Sequence, residues 1–186
     1  MEHAGSREKG RQRQRHWDTP ESFQVTNFKI IHFGPVETDR IYREIGRFIF
    51  EFSQLEYTLR YHVAEMARID DQYFDIVTSA FDFAKLCSAL LALSAKEKGG
   101  KPDPTLKDLI ADCHEVNTIR LRVVHGLWVI GSGNDRAIHT SRNSMQSEVY
   151  FDKPGDLDDQ SNRCNRLRSD IERAIYAMPI FERPKK

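Results

Sequence analysis

The sequence predicts a mainly α-helical fold: an antiparallel four-helix-type bundle with a small β-hairpin or meander between the third and last long helices. Three observations lead to this expectation. Four stretches repeat apolar residues at helical spacings of three and four. Between the third and fourth stretches, short extended runs alternate with turn residues. The length of 186 residues is typical of one domain with appendages.

Composition excludes several classes of protein. Lys+Arg and Asp+Glu both number 28, and a net charge of +0 removes the whole-molecule argument for nucleic-acid binding. No apolar run approaches the roughly 18 residues of a membrane helix, and the N-terminus has no apolar stretch typical of a secretory signal. The three cysteines form no C-x-x-C pair, which is typical of a reducing compartment. We therefore expect a cytoplasmic protein that uses no membrane, metal or cofactor.

The N-terminal region divides into two parts. Residues 1–20 hold almost no apolar side chains, and five basic residues lie between Arg7 and Arg15 with one acid. This composition predicts a disordered basic arm, which acts either as a phosphate-binding tail or as a solubilising leader. Residues 21–36 are apolar and extended in pattern, and Gly34-Pro35 ends them. We assign residues 21–186 to a single helical domain.

The first helix is predicted over residues 39–69, with Thr38 as its N-cap. Its apolar seam comprises Ile41, Ile45, Phe48, Phe52, Leu55, Leu59, His62/Val63 and Met66. Gly46 weakens such a helix by up to about 1 kcal/mol relative to Ala, and a close helix crossing would explain it. A second helix is predicted over about 80–98, with Gly99-Gly100 as its end.

A third helix is predicted from a Thr105 cap to about residue 125, where His125-Gly126 ends it. The runs 127–131, 137–141 and 146–151 then favour strands, which makes about 127–151 a small β insertion. The last helix is predicted from Pro154-Gly155-Asp156 to Pro179. Its apolar stripe comprises Leu157, Cys164, Leu167, Ile171, Ile175 and Met178.

One residue interrupts the apolar stripe of the third helix. That stripe comprises Leu106, Leu109, Cys113, Val116, Arg120 and Val123. A buried, unpaired guanidinium costs several kcal/mol, so Arg120 must pair with a carboxylate, reach an edge or line a cavity. The possible carboxylate partners on the first helix are Glu44, Glu51, Glu56 and Glu65, and Glu56 is the one that we name. Glu56 also forms a favourable i,i+4 pair with Arg60 on that helix. His125 follows five residues later and points about 140° away on an ideal helix, unless a loosened last turn swings it back.

The stretch from Asn117 to Trp128, N-T-I-R-L-R-V-V-H-G-L-W, resembles the R-x4-6-H signature of the HEPN superfamily. The L-E-x-x-L element at Leu55–Leu59 also resembles the long first helix of that superfamily. This resemblance covers about residues 38–178.

The resemblance implies a metal-independent endoribonuclease of a toxin–antitoxin or anti-phage defence system. Arg120 would hold the scissile phosphate, His125 would act as general acid and base, and the products would carry a 2′,3′-cyclic phosphate. Family members usually form homodimers in which two Arg–His pairs face one groove. RNA and an antitoxin protein are therefore the expected partners.

Two positions differ from the pattern of active members. Leu121 stands where Asn, Asp or His often follows the Arg, and Asn117, one turn earlier on the same side as Arg120, is the nearest amide. Leu127 stands where one subclass has a Tyr that is the target of modification. The resemblance also admits a noncatalytic helical interaction or dimerisation module. A third interpretation is a nucleic-acid-binding regulator that uses the basic arm.

The remaining candidates have structural and functional interpretations. Arg122 is either solvated or in contact with RNA, and Trp128 either packs the β element on the bundle or stacks on a base. His62 is expected to be a packed, hydrogen-bonded histidine rather than a second catalytic base. Cys113-His114 with Glu115 is too compact for a metal site, because adjacent residues of a helix diverge by about 100°. The arginines of the last helix alternate with acids and indicate a solvated face.

Overall fold

Helices dominate the computed structural model of the chain, which describes residues 35–129, 136–140, 147–151, 153 and 155–178. This confirms the prediction of a mainly helical protein. The helices are α1 (Pro35–Ala67), α2 (Phe74–Thr78, preceded by a 3-10 turn at Asp71–Tyr73), α3 (Phe83–Glu97), α4 (Pro104–His125) and α5 (Asp156–Tyr176). The strands are β1 (Leu127–Val129), β2 (Arg136–Thr140) and β3 (Ser147–Tyr150). The predicted arm, the extended run before residue 35 and the two β turns lie outside the described residues.

The first helix begins earlier than predicted. Thr38 is not its N-cap, because α1 already starts at Pro35. A proline suits the first helical position, since its fixed φ angle is helical and its missing N–H would have no partner there. At the other end, Arg68 adopts a positive φ of 57° directly after the last helical residue.

Aspartates, not threonine, cap the two central helices. The Asp82 carboxylate accepts a hydrogen bond from the backbone N–H of Lys85 at 2.8 Å, and Asp103 accepts one from Leu106 at 3.0 Å. The predicted Thr105 cap is therefore wrong, and Pro104 occupies the first turn of α4 instead. An ion pair with Lys98, together with the helix N–H groups, lowers the pKa of Asp103.

The predicted apolar stripes form one core. Phe48, Leu55 and Leu59 of α1 are fully buried against residues of α3, α4 and α5. The fully buried residues of α5 include Leu157, Cys164, Ile171 and Ile175, and those of α4 include Leu106, Cys113 and Val116. Each set recurs at helical spacing, so each helix contributes one apolar face.

Helices α1 and α5 run in the same direction, which corrects the expected antiparallel packing. Near the start of α1, Arg47 donates hydrogen bonds to Asp158 (2.6 Å) and Asn162 (2.7 Å), which lie near the start of α5. Near the end of α1, the His62 ring contacts Tyr176 at the end of α5, with ring centroids 5.6 Å apart. These two contacts together require parallel axes.

Helix α4 runs against α5. Arg163, in the first half of α5, donates hydrogen bonds to Asp112 (2.9 Å) and Glu115 (2.6 Å) of α4. The later residues 170–178 of α5 instead share a groove with Asp103 and Thr105 at the start of α4. Helix α3 packs between α1 and α4, so the four long helices surround the core in the order α1, α3, α4, α5.

The segment between α1 and α3, which contains α2, explains how the chain reaches the start of α3. After α1 ends, α2 lies back along it, and the Phe74 ring contacts Tyr57 with centroids 5.9 Å apart. Phe83, the first residue of α3, then stacks on Phe52 at 4.6 Å. The chain thus travels back along α1 before α3 begins. The apolar spacing of the sequence does not predict α2.

The strands pair antiparallel in the order β1-β2-β3. In this register Leu127 is opposite Ile138, and Ile138 is opposite Val149. The helix α5 begins after Gly155, whose φ of 91° is left-handed and therefore favours glycine. Helix α5 ends at Tyr176, before the predicted stop at Pro179, which lies outside the described residues.

The expected close helix crossing at Gly46 is absent from the described part of the chain. Gly46 is exposed, and a Cβ built on it meets no atom within 4 Å.

We therefore expect Gly46→Ala to raise the free energy of unfolding by up to about 1 kcal/mol, because alanine restricts the unfolded chain. The melting temperature, followed by circular dichroism, should rise by about 2–4 °C.

Gly99→Ala is the matched control for this experiment. A Cβ there also meets open space, but Gly99 has a φ of 74°, which an alanine adopts only with strain. The control should lower the melting temperature. A lower melting temperature of the Gly46→Ala variant would contradict this expectation and show that the outer face of α1 contacts other atoms of the protein.

Candidate functional site

Arg120 lies on the core-facing stripe of α4 but is not enclosed. Helix α4 has 22 residues and α3 has 15, and a short connector joins the end of α3 to the start of α4. The last two turns of α4 therefore extend beyond Phe83, the first residue of α3. At this point Arg120 is half-buried, and its guanidinium lies 5.7 Å from the centroid of the Phe52 ring. This geometry is a cation–π contact.

The expected tie between Arg120 and Glu56 is not formed. Glu56 instead accepts a hydrogen bond from Arg60 at 2.8 Å, one turn along the same helix. Within the described part of the chain, no carboxylate forms an ion pair with Arg120. Phe52 covers one face of the guanidinium, so its N–H donors remain available to an anion.

His125 is exposed at the last residue of α4. The last turn is not loosened, because the Gly126 N–H donates a regular helical hydrogen bond to the Arg122 carbonyl at 2.8 Å. Gly126 continues into β1 in an extended conformation. Arg120 and His125 therefore keep the helical separation of about 140°, and one chain does not bring them to a common point.

Asn117 lies one turn before Arg120 and is half-buried. Three residues correspond to about 300°, so the two side chains leave α4 about 60° apart on the same side. The amide of Asn117 and the guanidinium of Arg120 are thus the polar groups of that side of the helix end.

The other two predicted binding residues join α4 to the β element. The guanidinium of Arg122 lies 4.0 Å from the centre of the Tyr150 ring in β3. Trp128 donates a hydrogen bond from Nε1 to the Val123 carbonyl at 2.9 Å and stacks on Phe151 at 5.8 Å. These contacts support the packing interpretation of Trp128, and both residues fix the strands against the end of α4.

Exposed apolar side chains surround His125. They are Leu121, Val124 and Leu127, and Val149 belongs to the same cross-strand row as Leu127. A cluster of exposed apolar side chains beside a histidine and an arginine is typical of a surface that another molecule covers. We call these four residues the α4-end patch.

His62 is a packed histidine, as predicted. It is 1% exposed, its Nδ1 lies 3.2 Å from Glu65 Oε2, and the Tyr61 and Tyr176 rings meet it edge to face. Burial lowers its pKa, because desolvation outweighs the opposing effects of Glu65 and Glu172. A buried imidazole of this kind cannot reach a substrate.

The cysteines are also structural. Cys87, Cys113 and Cys164 are fully buried in the core, one each on α3, α4 and α5. A hydrogen bond with Cys87 and burial raise the pKa of Cys113, and burial raises the pKa of Cys164 to about 12. The thiols therefore stay protonated and unreactive. The described residues contain no cluster of ligands that suits a metal ion.

A groove of about 460 Å³ lies at the opposite end of α4. Apolar and small side chains such as Leu109, Ala174 and Met178 form its floor, and the ion pairs Lys98–Asp103 and Arg173–Asp170 stand beside them. It contains none of the predicted site residues.

Arg163 is an interhelical residue, which corrects the expectation that the arginines of α5 form a solvated face. Its guanidinium bridges two acids of α4, as described above. The signal was present in the sequence only as acids at i and i+3 on α4, Asp112 and Glu115, which share one helix face.

No family model, curated protein or solved structure matches this chain. Among the described residues, no helix is long and apolar enough to cross a membrane.

We expect Arg120→Met to leave the free energy of unfolding within about 1 kcal/mol of the wild type or to raise it, because no ion pair is lost. Urea denaturation provides the measurement. Arg163→Met is the matched control, and it should cost about 1 kcal/mol because it removes a bridge between α4 and α5. A loss of about 3 kcal/mol or more in Arg120→Met would instead identify Arg120 as a structural ion-pair residue.

The buried His62 predicts acid sensitivity. Its pKa in the folded protein lies below the ordinary 6.5, so the unfolded chain takes up a proton first as the pH falls. Stability should therefore fall as the pH drops below about 6.5, until the folded protein also binds the proton. Urea denaturation from about pH 8 to about pH 5 measures this fall. His62→Gln should show a shallower fall, and equal slopes in the two proteins would contradict the assignment.

Proposed function

We propose that this protein is an HEPN-like, metal-independent endoribonuclease of a toxin–antitoxin or anti-phage system. Its helices would form the four-helix-type bundle of that superfamily, with the β strands as an insertion. The observation that carries the proposal is the free charge of Arg120. The core stripe of α4 includes a guanidinium that no described carboxylate neutralises, five residues before an exposed histidine. An arginine whose charge no described carboxylate balances favours the binding of an anion.

The chemistry follows from the two side chains. Arg120 would hold the scissile phosphate through parallel N–H donors and offset the charge that develops on it. His125 would accept the proton of the ribose 2′-OH and return a proton to the 5′-oxygen that leaves. The imidazole that takes up the 2′-OH proton becomes the imidazolium that donates a proton to the leaving oxygen, so one ring can serve both steps. Asn117 would support the phosphate from the same side of α4 as Arg120.

The proposal requires two copies of the chain. Within one chain, Arg120 and His125 leave α4 in different directions, and the residues of the α4-end patch are exposed to solvent. A homodimer that buries this patch would bring two ends of α4 together, so that an arginine and a histidine meet in one groove. It would also concentrate positive charge locally, which a chain of net charge +0 needs for RNA binding. An antitoxin protein would be the regulatory partner.

The second candidate function is a noncatalytic dimerisation module. The separation of Arg120 from His125 within one chain favours it, since the two side chains leave α4 about 140° apart. In this alternative the α4-end patch still mediates dimerisation, but Arg120 serves only the contact with Phe52.

An RNA cleavage assay in the presence of EDTA separates these functions. Wild-type protein should release fragments with 2′,3′-cyclic phosphate ends. Arg120→Ala and His125→Ala should each reduce the cleavage rate by at least about 100-fold, since one removes the phosphate contact and the other the proton carrier. Gel electrophoresis with end-group analysis by mass spectrometry measures both rate and product.

His114→Ala is the matched control, because His114 is also an exposed histidine of α4. It should cleave at the wild-type rate. Cleavage that persists in His125→Ala would contradict the assigned site. A wild-type protein that dimerises but cleaves no RNA would support the noncatalytic module.

A further inference from the structure

The short helix α2 is apolar on both of its faces. Its inner face carries Thr78, which is fully buried, and Phe74, which contacts Tyr57 of α1. Its outer face carries Ile76 and Val77, and Tyr73 of the preceding 3-10 turn lies three and four residues before them; all three are exposed. Ile76 is 72% exposed, the largest fraction among the exposed large apolar residues of the described chain. A contiguous group of large exposed apolar side chains is typical of a surface that another molecule covers.

Acidic residues accompany this apolar surface. Residues 69–84 include four aspartates and neither lysine nor arginine. Asp70, Asp71 and Asp75 are exposed, and none of them forms an ion pair with another described residue. The fourth, Asp82, caps α3 and pairs with Lys85. We call the surface of Tyr57, Tyr73, Ile76 and Val77 with these three free aspartates the α2 patch.

The charges decide between the possible occupants of the α2 patch. In a symmetric contact between two copies, each patch would face itself. Asp71 and Asp75 would then approach the same acids of the second copy, and like charges brought together disfavour association. A basic partner has the opposite charge and reverses this effect. The charge pattern therefore disfavours a second copy of this chain and favours a different, basic protein.

We propose that the α2 patch binds a basic amphipathic helix of another protein. Two or three large apolar side chains of that helix would cover Ile76 and Val77, and its lysines or arginines would pair with Asp70, Asp71 and Asp75. The surface is formed by α1, α2 and the segment between them, whereas Arg120 and His125 belong to α4. The proposal therefore does not depend on ribonuclease activity.

A labelled 14-residue peptide of leucine and lysine, designed as an amphipathic helix, is the probe. Fluorescence anisotropy should show saturable binding to the wild type that weakens with added salt, since exposed charges are screened. The same peptide with glutamate in place of lysine should not bind. Equal binding of both peptides would overturn the assigned charge preference.

Two variants locate the binding site. Ile76→Gln should weaken binding by about 10-fold, because it removes an apolar contact without touching the inner face of α2. Asp71→Asn combined with Asp75→Asn should weaken binding and reduce its dependence on salt. Tyr42→Gln is the matched control, since Tyr42 is a 64% exposed aromatic residue of α1 outside the patch, and it should bind like the wild type. Circular dichroism should show that all variants remain folded.

The outcomes separate this inference from its alternatives. Unchanged binding in both patch variants would overturn it. Sedimentation that shows Ile76→Gln converting a dimer to a monomer would identify a second copy as the occupant and would also overturn it. His125→Ala should bind the peptide like the wild type, so loss of the proposed ribonuclease activity and loss of peptide binding are distinguishable.

Discussion

The buried seam of α1 is the constraint on which the rest of the structure depends. Phe48, Leu55 and Leu59 have no contact with water, and both α3 and α5 pack against this helix. A seam of this length requires long partners on two sides. The polar contacts at its margins, Arg47 with Asp158 and His62 with Tyr176, then determine that α5 runs parallel to α1. The hydrogen bonds of Arg163 to Asp112 and Glu115 then hold α4 antiparallel to α5.

This arrangement explains why the end of α4 is less covered than the rest of the helix. Helix α3 starts beside Phe52, because the α2 segment returns the chain only that far along α1. The longer α4 therefore continues past the start of α3, and its last turns are covered on fewer sides. Arg120 is tolerated on an apolar stripe because it emerges at this point over an aromatic ring rather than within the closed core. The same lack of cover leaves Leu121 and Val124 in contact with water.

The sequence predicted the buried faces well and the ends of helices less well. Every member of the predicted α5 stripe, from Leu157 to Met178, is buried, because spacing along a helix reports directly which side faces the core. Helix starts were displaced by a few residues. Thr38 and Thr105 are good caps by residue type, but a proline preceded each of them and began the helix first. Gly46 suggested a contact within the chain, and the described residues provide none.

The sequence by itself determined the mainly helical fold, the residues of the core and the candidacy of Arg120, because these depend on period and residue type within one segment. Only the tertiary structure decided the helix directions, the contact of Arg120 with Phe52 and the separation of Arg120 from His125. Arg47 and Asp158 are 111 positions apart in the chain, and no local pattern reports such a contact. The pair of Glu56 with Arg60 is an i,i+4 contact that the sequence predicts, but only the fold shows that Glu56 does not also pair with Arg120. Long-range contacts compete for the same side chains, and only the folded chain shows which of them form.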